Sequence, residues 1–196
     1  MVKPKSIKNE DVERIREQLS HRDGIIFDLS LETGLRISDI LNLKVKDISI
    51  LLTVRESKTK KWKTVKLSEN LYERLDRLKP SNAKGDYFVF RSKNKPYAHI
   101  DRSTYHRHLK KACRALEIDF SAHSTRKLYA WNVFEISENI FDVQKSLQHE
   151  FITTTAKYLD IDIAQLINSE LRSRKALQHN HKNVDRQQKD TQLQSF

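Results

Sequence analysis

Residues 25–43 read IIFDLSLETGLRISDILNL, a pattern that predicts two helices separated by a glycine turn. Its first seven residues are almost continuously apolar, which predicts a helix buried at the centre of the domain. Gly34 can adopt the left-handed backbone conformation that ends a helix, so we expect the chain to turn there. A second, short helix is predicted to begin near Ile37. This arrangement leaves Arg36 at the start of the second helix, directly after the turn.

The rest of the chain is mostly helical in its pattern. Gly and Pro occur only three times each, and apolar residues recur at helical spacing in most segments. Residues 50–67 are the exception, because β-branched and apolar residues there flank a lysine-rich centre, which predicts a β-hairpin with a basic turn. The predicted fold class is therefore mainly α with a small antiparallel β-sheet (α+β). Beyond the hairpin, the last four predicted helices lie at residues 123–136, 140–148, 151–159 and 161–174.

The charge balance favours a polyanionic partner. The chain has 37 Lys and Arg against 26 Asp and Glu, a formal net charge of +11, which attracts nucleic acids, ribosomes or acidic membranes. Cys113 is the only cysteine, so an intramolecular disulfide and a zinc site with several cysteines are ruled out. No apolar run reaches the roughly 18 residues of a membrane span, and the N-terminus has no apolar signal-peptide core. We therefore expect a soluble, cytoplasmic protein without membrane contact.

The length of 196 residues fits one domain of ordinary size with an accessory tail. We expect residues 1–175 to form the folded domain. Residues 176–196 are rich in Gln, His, Asn, Lys and Asp and poor in apolar side chains. That composition predicts a flexible C-terminal tail.

Several side chains could together cleave a phosphodiester without a metal, which requires a nucleophile, cationic donors and an acid for the departing oxygen. Arg36 is one cationic donor. His123 and Arg126 are three residues apart, so a helix places the imidazole and the guanidinium on one face. Taken singly, such residues are commonly solvated surface groups, and Tyr158 alone would usually be a half-buried aromatic.

The combination of these motifs resembles the tyrosine recombinase family, also called the phage integrase family. Residues 33–39, TGLRISD, look like the first arginine box of that family. Lys58 matches the hairpin lysine, because it lies nine residues before the end of the strand that follows. The order and spacing fit over about residues 7–170, and the second box is matched by His123, Arg126, His149 and Tyr158.

The sequence departs from the family pattern at several positions. Lys66 replaces a common Pro, and Thr125 and Lys127 stand where the family often has Leu and His. Gln148 replaces the usual Gly before His149, which can change how that imidazole is presented. Relatives usually carry an N-terminal core-binding domain, and we expect none here. The chain is then either a single-domain member or a catalytic fragment of a longer protein.

The resemblance implies the tyrosine recombinase catalytic-domain fold and a covalent mechanism. Tyr158 would attack the scissile phosphate to leave a 3′-phosphotyrosyl link and a free 5′-hydroxyl. Lys58 would protonate the departing oxygen, and His123 would assist deprotonation of the tyrosine. Lys60 or Lys61 would be the acid instead if the hairpin register differed. Bond energy is conserved, so neither ATP nor a metal cofactor is expected.

The remaining roles concern phosphate binding. Arg36 and Arg126 would bind the non-bridging oxygens, and His149 would donate to a phosphate oxygen. Asp39 would hold Arg36 or its helix in place. The further lysines of the hairpin would contact the DNA backbone through charge rather than read its sequence, and they are Lys60, Lys61 and Lys63.

The leading functional hypothesis is an integrase-like or invertase-like recombinase that acts on double-stranded DNA as a synaptic tetramer. The family implies a mobile-element context. Two alternatives stay open at this point: a type IB topoisomerase, and a non-catalytic DNA-binding regulator on the same scaffold. The predicted helix at residues 161–174 would either exchange between protomers or pack on its own domain.

Overall fold

The computed structural model describes residues 9–79, 85–93, 95, 97–162 and 164. The described residues form eight α-helices, one 3-10 turn and one two-stranded sheet, so the predicted fold class is confirmed. The predicted tail at residues 176–196 lies outside the described residues, as does almost all of the predicted helix at 161–174. The helices are α1 Asn9–Gln18, α2 His21–Thr33, α3 Ile37–Leu41, α4 Glu69–Asp76, α5 Arg102–Ala115, α6 Ala122–Ser137, α7 Ile140–Leu147 and α8 Ile152–Tyr158.

Helix α2 is the central helix, as its apolar sequence predicted, and nine of its 13 residues are buried. The hydroxyl oxygen of Ser20 begins the helix by accepting a hydrogen bond from the N–H of Asp23. Gly34 ends it in the left-handed conformation, with φ of 62°. A Cβ at Gly34 would overlap the ring of Tyr129 on α6. Backbone conformation and close helix packing therefore both require glycine at this position.

The hairpin consists of β1 Leu51–Arg55 and β2 Trp62–Lys66, paired antiparallel with Val54 opposite Lys63. Leu52 and Val54 are buried and their neighbours on β1 are exposed, which is the period-two alternation of a strand packed on one face. We call residues 56–61 the hairpin loop. It is closed by backbone hydrogen bonds from the Glu56 N–H to the Lys61 carbonyl and from the Lys60 N–H to the Glu56 carbonyl, both 2.9 Å long.

Two hydrophobic clusters hold the fold together. The larger one contains residues from the sheet and from each of the helices α1, α2, α3, α4 and α5. It includes the fully buried rings of Phe27, Phe90 and Tyr105. The smaller one joins α6, α7 and α8 through residues such as Val143 and Leu147. Helices α2 and α6 pack against each other where the clusters meet. Among the described residues, no helix combines the length and the apolar character needed to cross a membrane.

Candidate active site

A cavity of about 450 Å³ opens at the junction of the two clusters. It is lined by α5 residues Arg102 and His106, which the sequence analysis did not single out. The cavity brings together side chains that are up to about 120 residues apart in sequence. The predicted site residues that line it are Arg36, Lys58, His123, Arg126, His149 and Tyr158.

Arg36 precedes α3, where its extended backbone follows the turn at Gly34. Its Nη1 donates a hydrogen bond of 2.5 Å to Oε2 of Glu56, and the Glu56 side chain is fully buried. The guanidinium is thus partly exposed to the cavity on one side and bound to a carboxylate on the other. An ion pair of this kind orients Arg36 before any phosphate arrives.

Arg126 lies on α6 and is 4% exposed. Its Nη1 donates to the carbonyl of Gly34, and its Nη2 donates to the carbonyl of Leu147 over 2.8 Å. Nη1 also lies 3.8 Å from Oε1 of Glu56. These contacts bind the guanidinium to the ends of α2 and α7, so its orientation is fixed by the fold.

Asp39 on α3 contacts the hairpin loop rather than Arg36. Its Oδ1 accepts hydrogen bonds from the N–H and the hydroxyl of Ser57, at 2.9 and 2.5 Å. Ser57 directly precedes Lys58, which is exposed and lines the cavity. Lys60 and Lys61 are also exposed but are not among the residues that line this cavity.

Tyr158, at the end of α8, is flanked by two imidazoles. The ring centroids of His123 and His149 lie 5.2 and 5.5 Å from that of Tyr158, in edge-to-face orientations. The phenol oxygen is buried and has no hydrogen-bond partner among the described residues. Nδ1 of His149 lies 3.0 Å from the hydroxyl of Thr155, which is one turn before Tyr158 on α8. A nucleophilic oxygen with two potential proton acceptors nearby is therefore part of the cavity.

Burial and nearby cations set the protonation states in the cavity. Burial, with the guanidinium groups of Arg126 and Arg36, lowers the pKa of His149 to about 4. Burial, with Arg126, also lowers the pKa of His123. Burial raises the pKa of Tyr158, and the two arginines oppose that shift. At neutral pH the protein therefore holds two neutral imidazoles beside a protonated phenol, so attack by this oxygen requires a proton acceptor.

Lys63 corrects one interpretation of the sequence. Its Nζ donates to the carbonyls of Thr33 and Ser146, at 2.6 and 2.7 Å, and lies 5.1 Å from the ring centroid of Tyr129. The residue is 8% exposed, and burial lowers its pKa to about 8. The prediction that Lys63 contacts DNA phosphates is wrong, because its ammonium binds carbonyls at the ends of α2 and α7.

Glu56 is another site residue that the sequence analysis missed. A signal for it exists, because Leu52, Val54 and Glu56 follow the inward positions of the β1 alternation. A carboxylate at such a position needs a cationic partner inside the fold. The sequence does not reveal that Arg36 supplies it. Within the described part of the chain, no cluster of three or more His, Cys, Asp or Glu side chains is arranged to hold a metal ion.

Curated proteins similar to this chain are integrases and recombinases. Curated relatives include the probable integrase/recombinase YoeC of Bacillus subtilis, 29% identical over 78% of this chain and 87% of its own length. Tyrosine recombinase XerA of Pyrococcus furiosus is also 29% identical, over 83% of this chain. A probable integrase/recombinase of Acholeplasma phage L2 is 32% identical over 67% of this chain. The chain spans 59% of the length of that XerA and 46% of the phage protein.

Solved structures share the fold. A crystal structure of XerA recombinase superposes with a TM-score of 0.66 at 21% identity, covering 89% of this chain and 66% of that one. The structure of a lambda integrase tetramer bound to a Holliday junction superposes with a TM-score of 0.60 at 20% identity. The match covers 83% of this chain and 49% of the lambda integrase chain. The phage integrase family itself matches residues 5–165. Because this match covers most of the chain, the chain belongs to the phage integrase family.

Proposed function

We propose that this chain is a site-specific DNA recombinase that cleaves and rejoins strands through a 3′-phosphotyrosyl intermediate at Tyr158. The observation that carries the proposal is the buried phenol oxygen of Tyr158. It lies in one cavity with the side chains of Arg36, Arg126, His123, His149 and Lys58. This set supplies a nucleophile, proton acceptors, cationic donors and an acid, which together are what phosphoryl transfer to a side chain requires.

In the cleavage step, the Tyr158 oxygen forms a bond to phosphorus and the bond from phosphorus to the 5′-oxygen breaks. His123 accepts the phenol proton, and Lys58 gives a proton to the departing 5′-oxygen. The products are a 3′-phosphotyrosyl link and a free 5′-hydroxyl, and a 5′-hydroxyl of another strand reverses the step. The link retains the energy of the phosphodiester, so the exchange needs no ATP.

Charge develops on the phosphate oxygens as five-coordinate phosphorus forms, and Arg36 and Arg126 stabilise it. Arg126 is suited to this role because the carbonyls of Gly34 and Leu147 fix its orientation in advance. His149, neutral at pH 7, donates one hydrogen bond to a phosphate oxygen. Asp39 supports the acid indirectly, through Ser57.

The proposed partner is double-stranded DNA, and Lys60 and Lys61 contact its phosphate backbone. The lambda integrase structure is a tetramer on a Holliday junction, and we extend that assembly to this chain as a synaptic tetramer acting in the cytoplasm. Residues 1–175 would form the catalytic domain. The relatives named above are integrases and recombinases, which favours recombination over topoisomerase or regulator activity.

A plasmid test separates these functions. Two copies of the inverted repeats from the DNA that flanks the gene are placed in one supercoiled plasmid and incubated with the protein. We expect deletion or inversion of the segment between the copies. Relaxation of the plasmid without rearrangement would indicate topoisomerase activity, and binding with neither change would indicate a regulator.

A further inference from the structure

Gln148 occupies a backbone conformation that favours glycine. It follows α7 with φ of 53° and ψ of 37°, in the left-handed region. The N–H of Gln148 donates to the carbonyl of Lys145, and the N–H of His149 donates to that of Gln144, as in a helix that ends with glycine. A side chain at this position disfavours the backbone conformation unless its own contacts compensate.

The Gln148 side chain makes such contacts, and both reach the hairpin. Its Nε2 donates to the backbone carbonyl of Trp62 over 2.9 Å. Its Oε1 lies 3.3 Å from the hydroxyl of Thr59. That hydroxyl has one proton, which it shares between the Gln148 amide and Oε2 of Glu56, 3.0 Å away. The amide therefore connects the end of α7 to the hairpin loop, next to the carboxylate that binds Arg36.

The two residues beside Lys58 are thereby each held by a different helix. Ser57 binds Asp39 of α3, and Thr59 contacts Gln148 after α7. Lys58 itself is exposed, and within the described part of the chain no hydrogen bond or ion pair orients its side chain. Its position in the cavity depends on the backbone of the loop, since a long, flexible ammonium chain does not hold itself in place.

We propose that Gln148 is a positioning residue for Lys58: its amide docks the hairpin loop on the end of α7 and so keeps the ammonium within reach of the departing 5′-oxygen. This inference rests on the proposed function, in which Lys58 is the acid. Removing the amide leaves the nucleophile and both arginines in place, so the loss should fall on the protonation step.

The test compares Gln148→Gly with Gln148→Ala. Both remove the amide, but only glycine relieves the left-handed backbone, so glycine should raise Tm relative to alanine. Each variant is assayed in single turnover on a nicked duplex with an ordinary 5′-oxygen or a 5′-bridging sulfur at the scissile phosphate. The thiolate leaves without protonation. We expect both variants to cleave the oxygen substrate about tenfold more slowly than wild type, as for loss of one or two hydrogen bonds. Both should approach the wild-type rate on the sulfur substrate.

Lys58→Ala is the reference for this rescue. If Lys58→Ala is rescued by sulfur and the Gln148 variants are slow but not rescued, the positioning role is overturned while the acid role stands. Wild-type rates for both Gln148 variants on the oxygen substrate would overturn it as well. A Lys58→Ala protein that sulfur fails to rescue would overturn the acid role in the proposed function and this inference with it.

Discussion

Nη1 of Arg36 lies 2.5 Å from Oε2 of Glu56, and Nη1 of Arg126 lies 3.8 Å from the other oxygen of the same carboxylate. One buried carboxylate thus lies between the two guanidinium groups that we assign to the phosphate. Arg36 also lowers the pKa of Arg126, although burial of Arg126 is the larger cause. The negative charge of Glu56 offsets the repulsion between the two guanidinium groups while the cavity is free of DNA.

Glu56→Gln should destabilise the protein markedly, because it keeps the shape of the side chain but leaves neighbouring buried cations without their carboxylate. We expect the free energy of unfolding to fall by about 3 kcal/mol in denaturant titrations at neutral pH. Glu73→Gln is the matched control, since Glu73 pairs with Arg77 over 3.2 Å with both side chains exposed. Its effect should stay within about 0.5 kcal/mol. Equal effects of the two substitutions would contradict the role assigned to Glu56.

Lys63 should make the protein more stable as the pH rises above 8. Its pKa is about 8 in the folded protein and 10.5 as the reference value, so the unfolded chain binds the extra proton between these pH values. Stability attributable to Lys63 therefore increases across that window, by at most about 3 kcal/mol. Unfolding measured at several pH values from 7 to 10.5 should show this rise in wild type relative to Lys63→Met. Parallel curves for the two proteins would reject the shifted pKa.

The protein should lose the stability that the neutral His149 side chain contributes when the pH falls below 6.5. The pKa of His149 is about 4 in the folded protein against a reference value of 6.5, so its contribution is complete above pH 6.5 and is lost as the pH falls towards 4. The ring resonances of His149 should titrate near pH 4 in NMR spectra of the DNA-free protein. His149→Asn should show a shallower loss of stability between pH 6.5 and 4. A midpoint at or above 6.5 would mean that the imidazole is more solvated than the structure indicates.

The fold was predictable where local rules suffice. Gly34 identified the end of α2 because glycine adopts the left-handed conformation without steric cost. The β-branched and apolar residues that flank a lysine-rich centre identified the hairpin. The three-residue spacing of His123 and Arg126 predicted that both lie on one helical face, and the structure brings both to the cavity with Tyr158. These features depend on residues close in sequence or on a family pattern.

The missed features depend on contacts distant in sequence. Lys63 faces inward opposite Val54, yet in the sequence it resembles the neighbouring solvent-facing lysines. The carbonyls of Thr33 and Ser146, which its ammonium binds, come from distant parts of the chain. Arg102 and His106 lie on an amphipathic helix whose apolar stripe was predictable. The sequence does not show that the polar face of this helix borders the cavity, because that follows from how α5 packs against the rest of the fold.

The central claim is that Tyr158 bonds to DNA, and a nicked suicide duplex containing the flanking repeats tests it. Attack releases a short 5′-hydroxyl fragment, so religation fails and the covalent complex accumulates. Tyr158→Phe removes only the hydroxyl, so folding and DNA binding should survive while the adduct disappears. Arg36→Ala and Arg126→Ala should form the adduct at least about a hundredfold more slowly.

The most direct measurement is the amount and position of the denaturant-resistant adduct, followed by gel and by peptide mapping of the wild-type protein. We predict an adduct that forms in the presence of EDTA, that maps to the peptide containing Tyr158, and that is absent from Tyr158→Phe. DNA attached instead to Tyr72, Tyr87, Tyr97, Tyr105 or Tyr129, or an adduct that persists in Tyr158→Phe, would contradict the proposed active site. The absence of any adduct on DNA that the protein binds specifically would contradict the proposed recombinase function.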